Sequence, residues 1–229
     1  MQNKKKIVIL TGAGMSEESG ISTFRDKNGL WENHDITKVA SPKGFRENPE
    51  LVLEFYNQRR RQLKECKPNK GHILLSDFQT YYDIQIITTN VDDLHERAGS
   101  KNILHIHGLL NEAKSQVDKN EIYNLEYRDI NIGDLCKNGA QLRPNIVWFG
   151  ENVPNIEKAQ EICGTADIFL IVGTSMSVYP AASLIDYIPN DIPIYVVDPN
   201  LVYTRKKVEY IPYKASEGIQ KFFNLIEIV

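Results

Sequence analysis

Positions 7–10 (IVIL) form an unbroken apolar run rich in β-branched side chains, and Gly12 and Gly14 end it, which predicts a buried strand breaking into a turn. A helix over 15–20 should follow, with Ser16 as its N-cap. One glycine would let the backbone turn through positive φ, and the other would let a ligand phosphate approach without a Cβ in the way. Between 33 and 82, where a second strand is expected, the pattern is helical instead. Ser41 and Pro42 read as a cap and a first helical residue. Pro49 opens a segment in which Leu51, Val52, Phe55, Tyr56 and Leu63 recur at helical spacing, and 69–82 carries Ile73, Leu74, Leu75 and Phe78.

Strand patterns return at 84–88, 103–106, 167–172 and 194–197, with a helix expected at 156–164. Residues 178–184 should begin a crossover, and Ile219, Phe222, Phe223 and Ile226 form the apolar face of a closing helix. This alternation predicts an α/β fold, a parallel sheet with helices on both faces, interrupted by two insertions that build a smaller lobe. The chain then reads as a single domain over 1–229, with a large lobe at about 1–32, 83–108 and 144–229 and a small lobe at about 33–82 and 109–143.

Size and composition fit one such core: 229 residues, 41% hydrophobic and 25% charged. A formal charge of -3 leaves no nucleic-acid footprint, and Lys4, Lys5 and Lys6 are a short solvated run rather than a basic arm. No apolar run approaches a membrane span and the N-terminus lacks a cleavable apolar segment, so a cytoplasmic monomer with neither nucleic acid nor membrane as partner is expected. Cys66, Cys136 and Cys163 show no paired spacing and suggest no disulfide framework.

Candidate chemistry gathers where strands end. Thr89, Asn90, Val91, Asp92 and Asp93 follow a strand at the edge where open α/β sheets bind ligands. Asn90 can both donate to and accept from a primary amide and Asp92 can accept from one, although both could merely cap a helix over 93–98. Gly173, Thr174 and Ser175 offer N–H groups and hydroxyls to a nucleotide at a second strand end. Asp198 could accept from ribose hydroxyls or form an ordinary turn with Pro199 and Asn200. Glu17 stands where the G-x-G-x-x-G fingerprint has its third glycine, so its carboxylate should point away from any pyrophosphate. His105 and His107 invite a two-histidine metal site, but no third ligand follows nearby.

GAGMSEESGISTFRD and GLW (12–31), TTNVDDLHERAG (88–99), HIHG (105–108), RPNIVWFGE (143–151), GTSMSVYPAA (173–182) and VVDPN (196–200) resemble, in order, the motifs of the sirtuins, the NAD-dependent protein lysine deacylases. The resemblance spans nearly the whole chain. It implies a Rossmann-like large lobe, NAD as cofactor, and acylated-lysine proteins or peptides as partners, giving nicotinamide and O-acyl-ADP-ribose. On these motifs Gly12, Ala13, Gly14, Ser16, Phe24, Arg25, Asn90, Asp92, Gly173, Thr174, Ser175 and Asp198 would bind NAD. His107, with Asn90, would be catalytic, a neutral imidazole taking a proton from a ribose hydroxyl.

The backbone at Val147 would align the peptide, with Trp148 and Phe149 walling an acyl-lysine tunnel. Tyr56 and Arg59 share a helical face as Tyr-x-x-Arg, and with Ala40 they resemble the subclass that holds the distal carboxylate of succinyl- or malonyl-lysine. The chain departs from the family at Thr89, usually Gln, at Leu109, usually Glu or Ser, and at Asp198, more often Asn. It also lacks the two C-x-x-C pairs of the family's zinc ribbon, so no metal is expected and the small lobe should bury Ile122, Tyr123, Leu125, Tyr127, Ile130, Ile132 and Leu135 instead. An NAD hydrolase or ADP-ribosyltransferase, or a non-catalytic NAD-binding module, would share the nucleotide site. His107 and VWFGE argue against both.

Overall fold

The computed structural model describes residues 4–21, 35–118 and 120–226, so Phe24 and Arg25 lie outside the described residues. Strand β1 (Lys6–Thr11) runs into a single turn of helix, α1 (Gly14–Glu17). Helices α2 (Ile36–Val39), α3 (Pro42–Glu47), α4 (Pro49–Glu65) and α5 (Lys70–Phe78) precede β2 (Asp83–Thr88), α6 (Leu94–Arg97) and β3 (Ile103–His105). Strands β4 (Gly108–Ser115), β5 (Ile122–Asn124) and β6 (Leu142–Ile146) make a separate antiparallel sheet. The chain closes through α7 (Ile156–Cys163), β7 (Ile168–Val172), a 3-10 helix (Ala181–Tyr187), β8 (Ile194–Val197), β9 (Glu209–Ile211) and α8 (Ala215–Ile226).

The larger sheet is wholly parallel, in the order β3-β2-β1-β7-β8-β9. Its strand order reverses between β1 and β7. In open α/β sheets that reversal opens a crevice beyond the carboxyl ends of the strands, where ligands bind. Side chains alternate faces along a strand, so Ile7 and Ile9 join one core with Phe222 and Phe223 of α8, while Val8 and Leu10 join another with Ala159 and Cys163 of α7. Both faces are covered, which is why β1 reads as an unbroken apolar run.

Helix α5 departs from the lobe assignment expected of residues 33–82. Its Leu75 lies in the core beneath α8, and Phe78 stacks on Phe223 with ring centroids 3.5 Å apart, so it packs on the large sheet. Strand β9 was unexpected, being three residues at the sheet edge with only Ile211 buried.

The smaller lobe has its own core, in which Val52, Phe55 and Leu63 of α4 meet Leu110 and Ala113 of β4, Leu125, Ile130 and Trp148. Ile122, Ile132 and Leu135, expected inside, are 51%, 53% and 54% exposed. Strand β5 is an edge strand that turns Ile122 and Asn124 outward, with only Tyr123 partly buried. A polar lock does part of the work instead. Arg60, fully buried, donates from Nε to the Leu110 carbonyl (2.8 Å) and from Nη1 to Asn57 Oδ1 (2.6 Å). Asn57 in turn bonds both the N–H and the carbonyl of Ile130 (3.0 and 2.9 Å).

Caps set the helix starts, with Ser41, Asn48 and Asn69 accepting from N–H groups of the first turns of α3, α4 and α5. At the far end of α4, Arg97 donates to the carbonyls of Leu63 and Cys66. Among the described residues no helix is long and apolar enough to cross a membrane.

Candidate active site

The strand-order reversal brings two turns into direct contact. Gly12 donates to the Val172 carbonyl and Gly14 to the Gly173 carbonyl (3.0 and 2.9 Å). A Cβ at Gly12 would lie 2.6 Å from Thr174 Cβ, and one at Gly14 would lie 2.7 Å from Gly173 Cα. Neither glycine has positive φ; Gly173 does, at +61°. The sequence reading of these glycines is therefore corrected: they are required by the close approach of one turn to the other, and the left-handed turn belongs to Gly173.

Ser16 is not the N-cap either. That position is Ala13, and Ser16 is buried inside α1. Its hydroxyl donates to Asp92 Oδ2 (2.8 Å) and accepts from Asn90 Nδ2 (3.1 Å), joining the first turn to the loop after β2. Glu17, expected to point away, lines the cleft with its carboxylate paired to Lys214 Nζ at 2.9 Å, which offsets its charge toward a phosphate.

Asn90 is fixed by its donors. Nδ2 bonds the Gly12 carbonyl (3.0 Å) as well as Ser16, so Oδ1 is the half of the amide left to meet a ligand N–H. Asp92 also caps α6, accepting from Leu94 N–H (3.2 Å), and its burial raises the carboxyl pKa. Asp92 thus supports the start of α6, whose N-cap position is Asp93, while its side chain also lines the cleft. Thr89 bonds back to the Thr11 carbonyl through both N–H and hydroxyl (3.0 and 3.1 Å).

The Thr89 carbonyl holds His107 Nδ1 at 3.1 Å. A carbonyl only accepts, so Nδ1 carries the proton and Nε2 keeps its lone pair. Burial lowers the His107 pKa, against the Thr89 hydrogen bond, and keeps the ring neutral near pH 7. His105 points elsewhere, to the Asn90 carbonyl and Glu96. Gly108 is required by packing, since its φ is +84° and a Cβ would meet the Asn145 carbonyl oxygen at 1.9 Å.

On the opposite wall, Val147 N–H bonds the His107 carbonyl (2.9 Å) and Phe149 N–H bonds the Ala40 carbonyl (3.0 Å). Trp148 is buried against Phe45 and Tyr56, whereas Phe149 is 54% exposed at the rim. Trp148 Nε1–H donates to the Tyr56 hydroxyl (3.0 Å). Arg59 folds back over the Phe55 ring at 3.2 Å and donates to the Phe55 carbonyl, and burial lowers its pKa to about 10, so it stays charged at neutral pH.

A clamp that helical or strand periodicity did not reveal underlies this wall. Glu151 accepts from Arg143 Nη1 and Nη2 (2.8 and 3.1 Å) and from Trp148 N–H (2.9 Å), and the guanidinium lies 3.2 Å over the Trp148 ring. The clamp closes across the turn after β6 rather than along one element, so a periodic pattern within a single strand or helix gives no sign of it.

The described residues matched to the NAD, catalytic and acyl-lysine motifs line one cleft of about 1440 Å³ at the carboxyl edge of the sheet, whereas His105 and Asp93 do not. Asp198 lies on its wall with Oδ1 accepting from Asn200 N–H (2.8 Å), so the ordinary turn is present as well. The Sir2 family pattern matches residues 12–180. The chain belongs to the Sir2 family. An NAD-dependent protein deacylase of Helicobacter pylori is 56% identical over 195 residues, 85% of each chain. Another of that name, from Bacteroides thetaiotaomicron, is 47% identical over 230 residues, covering 97% of this chain and 98% of its own. A solved Sir2 homologue in complex with NAD superposes with a TM-score of 0.87 at 35% identity, covering 98% of this chain and 90% of that one.

The Sir2 cleft described here has the chemistry a dinucleotide requires. It offers an amide acceptor on Asn90, a carboxylate on Asp92, hydroxyls on Thr174 and Ser175, and glycines at both strand-end turns.

Proposed function

We propose that this chain is an NAD-dependent protein lysine deacylase that removes succinyl and malonyl as well as acetyl groups, with nicotinamide and O-acyl-ADP-ribose as the other products. The deacylase activity rests on family membership and on the close relatives. The acyl range rests on one observation, the pairing of Tyr56 and Arg59 on the cleft wall beside the small, buried Ala40. Because Trp148 donates to the Tyr56 oxygen, the phenol's own hydrogen is directed elsewhere. Burial raises the Tyr56 pKa, so that hydrogen stays on at any working pH. A neutral phenol donor beside a charged guanidinium suits a terminal carboxylate in a cavity otherwise walled by Ile36, Phe55 and Ile146.

Bound NAD supplies an electrophilic ribose carbon and nicotinamide as leaving group. The chain's part is to orient and to move protons. Asn90 Oδ1 and Asp92 receive the carboxamide end, and the neutral His107 takes a proton at Nε2 from a ribose hydroxyl. Phe149 at the rim and the backbone at Val147 carry the substrate's lysine side. The bacterial relatives support a cytoplasmic setting. The small lobe holds no structural zinc in this reading, because Cys136 is the only cysteine or histidine between Gly108 and Arg143, and its thiol is bonded to Ser115 Oγ (3.3 Å).

Arg59→Met tests the acyl range. Loss of a charged hydrogen bond is worth about 10- to 150-fold, so desuccinylation should fall at least about tenfold in kcat/KM while deacetylation stays within a few-fold. Equal losses on both substrates would assign Arg59 to the fold rather than to the acyl chain. Mass spectrometry of products from NAD and acylated peptide reads the reaction itself, since acyl-dependent nicotinamide release distinguishes a deacylase from an NAD hydrolase.

A further inference from the structure

His105 is not on the cleft wall, yet it touches the loop that is. Its Nδ1 lies 3.1 Å from the Asn90 carbonyl and its Nε2 lies 2.7 Å from Glu96 Oε1. A carbonyl oxygen and a carboxylate both accept, so each ring nitrogen must carry a hydrogen. Both bonds form together only on an imidazolium. The neighbouring His107 is the opposite case, bonded to one carbonyl and held neutral.

The groups facing His105 agree with this. Glu96 and His95 approach from α6 and Asp92 from the loop after β2. His95 is buried, its pKa pushed far down, and it brings no competing charge near pH 7. Burial alone would lower the His105 value, but the Glu96 hydrogen bond and charge, the Asn90 carbonyl and the Asp92 charge outweigh it and raise it.

We infer that His105 is a positioning residue for the NAD reaction: as an imidazolium bridging Glu96 and the Asn90 carbonyl, it fixes the backbone from which Asn90 and Asp92 reach the nicotinamide end. The loop has other supports, among them Leu110 N–H donating to the Val91 carbonyl (2.7 Å), Asn90 N–H donating to the Thr88 hydroxyl (3.0 Å), and the side-chain bonds of Asn90 and Asp92 to the first turn through Gly12 and Ser16. His105 ties the Asn90 carbonyl itself to Glu96 of α6, beside the Asp92 carboxylate that accepts from Leu94 N–H, and the inference rests on the reading that Asn90 and Asp92 act on NAD. The imidazolium persists to higher pH than that of an ordinary histidine and is lost as pH rises through its raised value. The support therefore fails on the alkaline side, whereas neutrality of His107 limits the acid side.

Glu96→Gln is the test, because it removes the carboxylate from a partly exposed position and leaves His105 in place. Imidazole nitrogen NMR on the wild-type protein should show both His105 nitrogens protonated at pH 7, and the variant should lose that proton at lower pH. The kcat/KM for NAD should acquire an alkaline limb displaced toward acid, with a loss of about tenfold at the alkaline end that shrinks toward pH 6, in protein that is still fully folded at the assay temperature. His105→Leu should show the loss at every pH. A single protonated nitrogen at pH 7, or parallel pH profiles for wild type and Glu96→Gln, would overturn the proposal. Absence of NAD turnover in the wild type would fail the deacylase reading instead, and the NMR measurement would still decide the imidazolium.

Discussion

Glu151→Gln should be among the most damaging single changes outside the reacting groups. The Arg143 side chain is 7% exposed and that of Glu151 13%, so the pair is held almost out of water by two parallel hydrogen bonds. Removing one partner of such a pair leaves an uncompensated buried charge, at a cost of about 3–5 kcal/mol. The remaining Arg143 contacts, the Ile146 carbonyl at 2.8 Å and the Trp148 ring, do not neutralise it. For a domain of this size the loss corresponds to a fall in Tm of about 6–20 °C. Differential scanning calorimetry reads it directly. A double change, Arg143→Met with Glu151→Leu, should recover most of the stability, because an apolar pair of similar volume needs no compensation. The pH dependence has a definite sign. Burial would raise the Glu151 pKa, but the hydrogen bonds from Arg143 and Trp148 N–H and the Arg143 charge hold it below its ordinary value of 4.5. Its contribution is therefore present above that value and lost as pH falls through the lowered folded one. A single variant destabilised by less than about 1 kcal/mol, or a double variant as unstable as the sum of the singles, would refute a buried, mutually dependent pair.

His107→Ala should lower deacylation by about 10²- to 10⁴-fold while NAD affinity measured by calorimetry changes little, and turnover within about threefold of wild type would remove the general-base assignment. Gly173→Ala puts a Cβ 2.4 Å from the Met15 nitrogen at positive φ, so chemical denaturation should register a loss of about 2–5 kcal/mol from strain and overlap together. Chelator should leave the melting temperature of the purified protein unchanged, and elemental analysis finding one zinc per chain would contradict the metal-free small lobe.

Patterning revealed those elements whose burial is periodic. An unbroken run such as 7–10 is legible because both of its faces meet a core, and the closing helix is legible because Ile219, Phe222, Phe223 and Ile226 all fall on one side. Helical period says that α5 exists, but not which core its face will meet; Leu75 and Phe78 suit the large sheet as well as the small lobe. Strands β5 and β9 are three residues each, IYN and EYI, broken by polar residues where β3 continues an apolar run, and the edge position of β5 lets Ile122 lie exposed. The glycines of the first turn were singled out with part of the wrong reason. Gly12 and Gly14 look like phosphate glycines, yet their missing side chains make room for Gly173 and Thr174, contributed by a strand more than 150 residues away in the chain.

Protonation was the least legible property, because residue type and burial together do not determine it. His95, His105 and His107 are all withdrawn from water to a large degree, and burial pulls each toward the neutral ring. What separates them is the second partner. His107 finds a carbonyl alone, His95 a hydroxyl on Thr11 at 3.2 Å, and His105 a carbonyl together with a carboxylate. Glu96 reaches His105 only because α6 begins directly after the loop carrying Asn90 and β3 pairs beside β2, which sets the two ends next to each other. The strand order that opens the crevice thus also sets which histidine near it meets a carbonyl alone and which meets a carbonyl together with a carboxylate, two residues apart.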